Sequence, residues 1–91
     1  MDQIFKALSD KNRRHILEIL KERDMNVTEI GAHFTITGAS LSHHLDILKR
    51  ARLIISERQG QFINYSLNTS VFEETVKMLM NVFKKGENEK N

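Results

Sequence analysis

The spacing of apolar residues changes from a helical to a strand period after Ala51, and that change restricts the folds open to this chain. Before it, four groups recur at helical intervals: Ile4, Phe5 and Leu8; Ile16, Leu17, Ile19 and Leu20; Ile30 and Phe34; Leu41, Leu45 and Leu48. After it, Leu53 to Glu57 and Gln61 to Leu67 are rich in Ile, Phe, Tyr and Ser, with Ile63, Tyr65 and Leu67 alternating on one face. Arg58-Gln59-Gly60 lies between them and supplies the glycine that a hairpin turn favours. The helical period then returns in Phe72, Val76, Leu79 and Phe83.

Polar residues mark where these segments start and stop. Asp10 is placed to cap the second helix, which should fade between Glu22 and Met25. Asn26-Val27-Thr28-Glu29 matches a capping box and opens a short third helix expected to reach Phe34. Thr35-Ile36-Thr37-Gly38 interrupts the pattern, and Thr37 can cap the fourth. Two short helices joined by a tight turn with glycine outline a helix-turn-helix. Thr69 or Ser70 is expected to cap the last helix, which should end near Lys85 with Gly86 as its C′ residue. The predicted order is α1-α2-α3-α4-β-β-α5, mainly α with a small β-hairpin: a winged helix-turn-helix. One domain is expected over 1–86, followed by a disordered tail over 87–91.

Composition narrows the chemistry. With no cysteine, the chain has no disulfide, thiolate metal site or thiol nucleophile. No apolar run reaches the roughly 18 residues of a membrane span, and the N-terminus lacks signal-peptide features, so a cytoplasmic location is expected. No nucleophile or carboxylate cluster accompanies the histidines, so the chain is read as no enzyme, with no small-molecule substrate, no cofactor and no catalytic or metal-binding residues. The last helix is apolar around more than half its circumference, since Val71, Met78, Met80 and Val82 flank the main stripe. A 91-residue core buries only about 60 to 65% of the unfolded chain's surface. Ile4, Phe5 and Leu8 with Phe72, Val76, Leu79, Met80 and Phe83 are therefore expected to form a homodimer interface.

Charge adds a location. Between Thr35 and Gln61 there are four cations, Lys49, Arg50, Arg52 and Arg58, against Asp46 and Glu57. The remaining 64 residues carry ten of each sign, so the whole formal excess of +2 lies on the turn, fourth helix and wing. With the leucines of the fourth helix facing inward, Ser40, His43, Ile47 and Arg50 should project roughly opposite them, beside Ser42, Asp46 and Lys49. A helix fits the major groove, where its N-terminal turns meet base edges, so Ser40, Ser42 and His43 are the expected readers. Thr37 and the free amides beside it suit a phosphate. Lys49, Arg50 and Arg52 are expected phosphate partners, and Arg58, Gln59 and Gln61 should carry the wing to DNA. His44 is expected to be a packed structural residue, and His15 and His33 partly buried scaffold.

Several stretches together resemble the ArsR family of bacterial transcriptional repressors. They are Ala7-Leu8-Ser9-Asp10, Arg13-Arg14-His15-Ile16-Leu17, Thr28-Glu29-Ile30 with His33-Phe34, Ser40 to Leu45 with Leu48, and Gly60 with Tyr65-Ser66-Leu67. The resemblance runs from Phe5 to about Phe83 and is strongest to the compact, cysteine-free autorepressors of the SdpR type. It implies a homodimer on an inverted-repeat operator, autoregulation, and a protein partner that controls derepression. The chain departs from the family pattern in three ways: Lys11 replaces a usual proline, Arg52 replaces a common glycine, and both familiar metal-sensing sites are missing. Two rivals stay open in the sequence: a metalloregulator with an atypical His/carboxylate site, and a protein-interaction module using the winged helix.

Overall fold

The structure, a computed structural model, describes residues 2–89. Its elements are α1 (Asp2–Leu8), α2 (Lys11–Glu22), β1 (Met25–Asn26), α3 (Val27–Gly31), α4 (Gly38–Arg50), β2 (Ile54–Gln59), β3 (Phe62–Leu67) and α5 (Thr69–Glu89). The strands form an antiparallel sheet in the order β1-β3-β2. The predicted hairpin therefore gains a third strand, in which Met25 pairs with Tyr65 and Asn26 with Asn64. Two residues are too few to show a period, and β1 exists only because β3 offers a free edge.

The caps act as anticipated at three helices. The Asp10 carboxylate accepts from the Asn12 and Arg13 amides at 2.9 and 3.1 Å. Asn26 and Glu29 exchange both bonds of a capping box, at 2.9 and 3.0 Å. Thr37 Oγ1 accepts from the Ser40 amide at 3.1 Å. Each such cap contributes about 1 kcal/mol.

Helix ends account for most departures. α3 stops at Gly31 rather than Phe34, because His33 and Phe34 donate back to Ile30 and Gly31 in tighter i→i+3 turns. α5 begins at Thr69 itself, so Thr69 and Ser70 lie in its first turn and the Asn68 carbonyl, which accepts from Phe72 at 3.3 Å, precedes it. At the other end α5 passes Gly86 and continues to Glu89, beyond the stop expected near Lys85. A lone glycine costs a helix about 1 kcal/mol but does not end it unless the backbone turns left-handed. Residues 90 and 91 lie outside the described residues.

One core cluster joins the layers. Ile16, Ile30, Leu48 and Leu53 are its largest fully buried side chains, from α2, α3, α4 and the link to β2. Ile4 and Leu8 of α1 and Val71 and Phe72 of α5 pack against it half-buried. Beyond Thr75, whose hydroxyl donates to the Val71 carbonyl at 2.8 Å, α5 leaves the core. Val76, Leu79, Met80, Val82 and Phe83 are exposed, Phe83 to 72%. Among the described residues no helix is long and apolar enough to cross a membrane.

Candidate nucleic-acid interface

α4 is held on one side by buried Leu41, Leu45 and Leu48. Its opposite side presents Ala39, Ser42, His43, Asp46, Lys49 and Arg50 to solvent. Two members of the expected outward set differ: Ser40 and Ile47 are half-buried, and Ile47 faces the cleft between α1 and α4. Exposed Ala39 takes the place in the first turn that Ser40 was expected to hold. It has no polar side chain, so nothing in its chemistry marked it. Exposed Thr37 caps the helix, and amides at this end remain free for an acceptor.

The cations divide into engaged and free. Arg50 Nε donates to Asp46 Oδ2 at 3.1 Å, one turn away on the same exposed face. Such an exposed pair is worth only a few tenths of a kcal/mol and opens easily. No ion pair is formed by Lys49, Arg52 or Arg58 among the described residues. Arg13 and Arg14 bind the end of α1. Arg13 donates to the Ala7 and Lys6 carbonyls at 2.8 and 3.2 Å, and Arg14 to the Leu8 carbonyl at 2.7 Å. They satisfy carbonyls that have no partner within the helix.

His44 is the packed residue its position predicted, 8% exposed. Arg13 Nη1 lies 3.2 Å from its Nδ1. The Asp10 carboxylate lies 3.8 Å from the same nitrogen. That contact ties α4 to the α1–α2 junction. His15 and His33, expected to be partly buried, are both exposed. His15 lies outside the buried stripe of α2, where its ring meets Phe34 edge-on at 4.9 Å, and His33 follows the early end of α3. Both line a cleft with Glu18 and Glu22, yet no group of three His, Asp or Glu among the described residues could hold a metal ion.

The wing leaves α4 through one unusual residue. Arg52 has φ of 63°, the left-handed backbone that glycine normally supplies. Its amide donates to the Lys49 carbonyl and that of Leu53 to the Leu48 carbonyl, both at 3.0 Å. This is a Schellman ending with Arg at C′, and Leu48 and Leu53 form its hydrophobic contact in the core. At the hairpin tip Gln59 pairs with Phe62, leaving Gly60-Gln61 as a two-residue loop. Gly60 at φ 64° fits the first position of a type II′ turn. Arg58, Gln59 and Gln61 are exposed at this tip, and Arg58 Nε reaches the Gly60 carbonyl at 3.4 Å. The outer end of the strand face predicted from Ile63 is open to solvent, since the hairpin extends beyond the core there.

A turn, a capped helix with one polar face and a hairpin beside it match a known pattern over more than half of the chain. The family model described as bacterial regulatory protein, arsR family, matches residues 10–56, from the Asp10 cap into β2. This chain belongs to the ArsR family. The transcriptional repressor SdpR of Bacillus subtilis is 48% identical over 89 residues, which cover 98% of this chain and 99% of that protein. The arsenical resistance operon repressor of the same organism is 40% identical over 68 residues, covering 74% of this chain and 65% of that protein. Among solved structures, an ArsR-like transcriptional regulator from Rhodococcus superposes with a TM-score of 0.89 at 23% identity, covering 97% of this chain and 83% of that one. The last likeness establishes the winged helix-turn-helix fold. ArsR proteins are regulators, and membership sets this chain apart from enzymes.

Proposed function

We propose that this ArsR protein is a cytoplasmic, homodimeric repressor that reads an inverted-repeat operator. The carrying observation is the exposed face of α4, where Ser42 and His43 stand within two turns of the Thr37 cap, with the wing beside them. His43 and Ser42 meet base edges. Thr37, the half-buried Ser40, Lys49, Arg50 and the wing residues Arg58, Gln59 and Gln61 position the backbone. Ile4, Phe5 and Leu8 with Phe72, Val76, Leu79, Met80 and Phe83 pair two copies. Autoregulation and release by a protein partner, expectations carried by the family resemblance, complete the proposal.

Mobility shifts on the DNA upstream of the chain's own gene, with a salt titration, test it. Binding there should exceed binding to random DNA by 10³-fold or more at equal salt, and equal affinity would overturn the proposal. Lys49→Ala should weaken all sequences alike and reduce the salt slope by about 1. His43→Ala should instead cost about 1 to 3 kcal/mol of discrimination at one base position. Indistinguishable variants would refute the division of labour.

A further inference from the structure

We infer that the cleft between α1 and α4 is a second phosphate-binding site of this protein, one that takes the DNA backbone just outside the bases read by α4, with Lys6 as its cation. This rests on the DNA-binding role proposed above. The cleft encloses about 370 Å³ and is bordered by Gln3 and Lys6 of α1, Arg13 of α2, and His43, Ile47 and Arg50 of α4. No carboxylate lines it. Among the described residues, two neighbouring clefts carry acids: Asp2 and Glu74 in one, Glu18 and Glu22 in the other. An excess of cations without acids selects an anion.

Position selects which anion. His43 and Arg50 belong to the cleft wall and also to the exposed face of α4, so the cleft is continuous with the surface that meets the major groove. Packed helices lie about 8 to 10 Å apart, and the major groove is about 12 Å wide. With α4 seated in the groove, its neighbour α1 therefore falls at the sugar–phosphate wall. Half-buried Ile47 lies between them against the core, and exposed Lys6 and Gln3 form the outer rim. Arg13 contributes charge while its guanidinium stays bound to the Ala7 and Lys6 carbonyls and His44. Arg50 is shared with Asp46. Lys6 forms no ion pair among the described residues and is the cation best able to move onto a phosphate.

Full-length wild type, Lys6→Ala, Lys6→Arg and, as a control outside the cleft, Lys21→Ala are titrated with operator and random DNA over a range of salt. Lys6→Ala should lower the slope of log K against log salt by about 0.9 per bound subunit. Its affinity should fall to the same extent on both DNAs, while Lys6→Arg and Lys21→Ala keep the wild-type slope. Ethylation of one phosphate flanking each half-site should block wild type but make little difference to Lys6→Ala. A wild-type slope in a Lys6→Ala protein with unchanged melting overturns the site and leaves the repressor proposal standing. So does a loss confined to the operator, or binding of inorganic phosphate that Lys6→Ala abolishes without changing the DNA slope. Wild type that fails to prefer its operator overturns the repressor proposal itself, and the site with it.

Discussion

At the scale of single residues, two departures from the family pattern have opposite structural consequences. Arg52 occupies a left-handed C′ position at φ 63°, where a side chain costs on the order of 1 kcal/mol relative to glycine. Nothing in its packing offsets that cost, because the side chain is exposed and forms no ion pair among the described residues. Its placement between α4 and the wing is where the proposed DNA complex would use a cation. Arg52→Gly should therefore stabilise the fold by about 1 kcal/mol, raising Tm by roughly 4 to 8 °C, while lowering the salt slope of DNA binding by about 0.9 per subunit. A variant that melts lower would show that the residue is not strained. Lys11 is the converse case, since its site already suits the missing proline. Asp10 has φ −102° and ψ 132°, the extended backbone required before proline, and the Asp10 cap bonds the amides of Asn12 and Arg13 but not that of Lys11. Lys11→Pro should raise stability by about 0.4 to 1 kcal/mol in denaturant unfolding, and a loss would mean that the Lys11 amide has a partner in the folded chain.

At the scale of elements, the helices are set by carboxylate caps that make them sensitive to acid. Burial pushes the Asp10 carboxyl up, but the Arg13 amide, the neighbouring His44, the Asn12 amide and the Arg13 charge together outweigh it and hold the group below the usual carboxylate range. The Asn26 amide and the Arg23 guanidinium hold Glu29 down in the same way, Arg23 at 2.9 Å. Groups with depressed pKa values stabilise fully above the unfolded carboxylate range, near pH 4, and lose that contribution as pH falls through the folded values. Asp10→Asn with Glu29→Gln keeps both caps without the titration. The variant should be less stable than wild type at pH 7 and should approach it below about pH 4 in chemical unfolding. A gap that does not change with pH would place the effect outside these carboxylates. These same caps made the helix starts legible in the sequence, because Asp10, Asn26 and Thr37 each act through amides two or three residues away. Helix ends were less legible. They depend on tertiary pull, which tightened α3 after Gly31, and β1 depends on an edge of β3 some forty residues distant. On α4 the leucine spacing located the exposed side, but Ile47 is half-buried in the cleft with α1, which no local pattern in α4 encodes.

At the scale of the whole molecule, the monomer stops short of covering its own apolar surface. Residues expected from the sequence to exceed the capacity of the core do so along the length of α5: Val76 is 55% exposed, Met80 52% and Phe83 72%, with Phe5 of α1 at 44%. The inner part of the predicted set, Ile4, Leu8 and Phe72, is half-buried and fixes α1 and α5 to the core. Aromatic side chains bury about 150 to 250 Å² each, so covering Phe83 and its neighbours twice over supplies much of a specific interface. Dimerisation would also set the reach of DNA recognition, since two α4 helices on a two-fold axis meet successive major grooves. Leu79→Glu, a charge placed at an exposed position, should leave the monomer fold intact by circular dichroism and shift sedimentation to the single-chain mass. Wild-type Tm should rise with protein concentration, and the variant's should not. Operator affinity should fall by about 100-fold or more, the loss expected when two linked half-sites become independent. A dimeric Leu79→Glu protein that still binds its operator would move the interface away from α5 and require another cover for its apolar face.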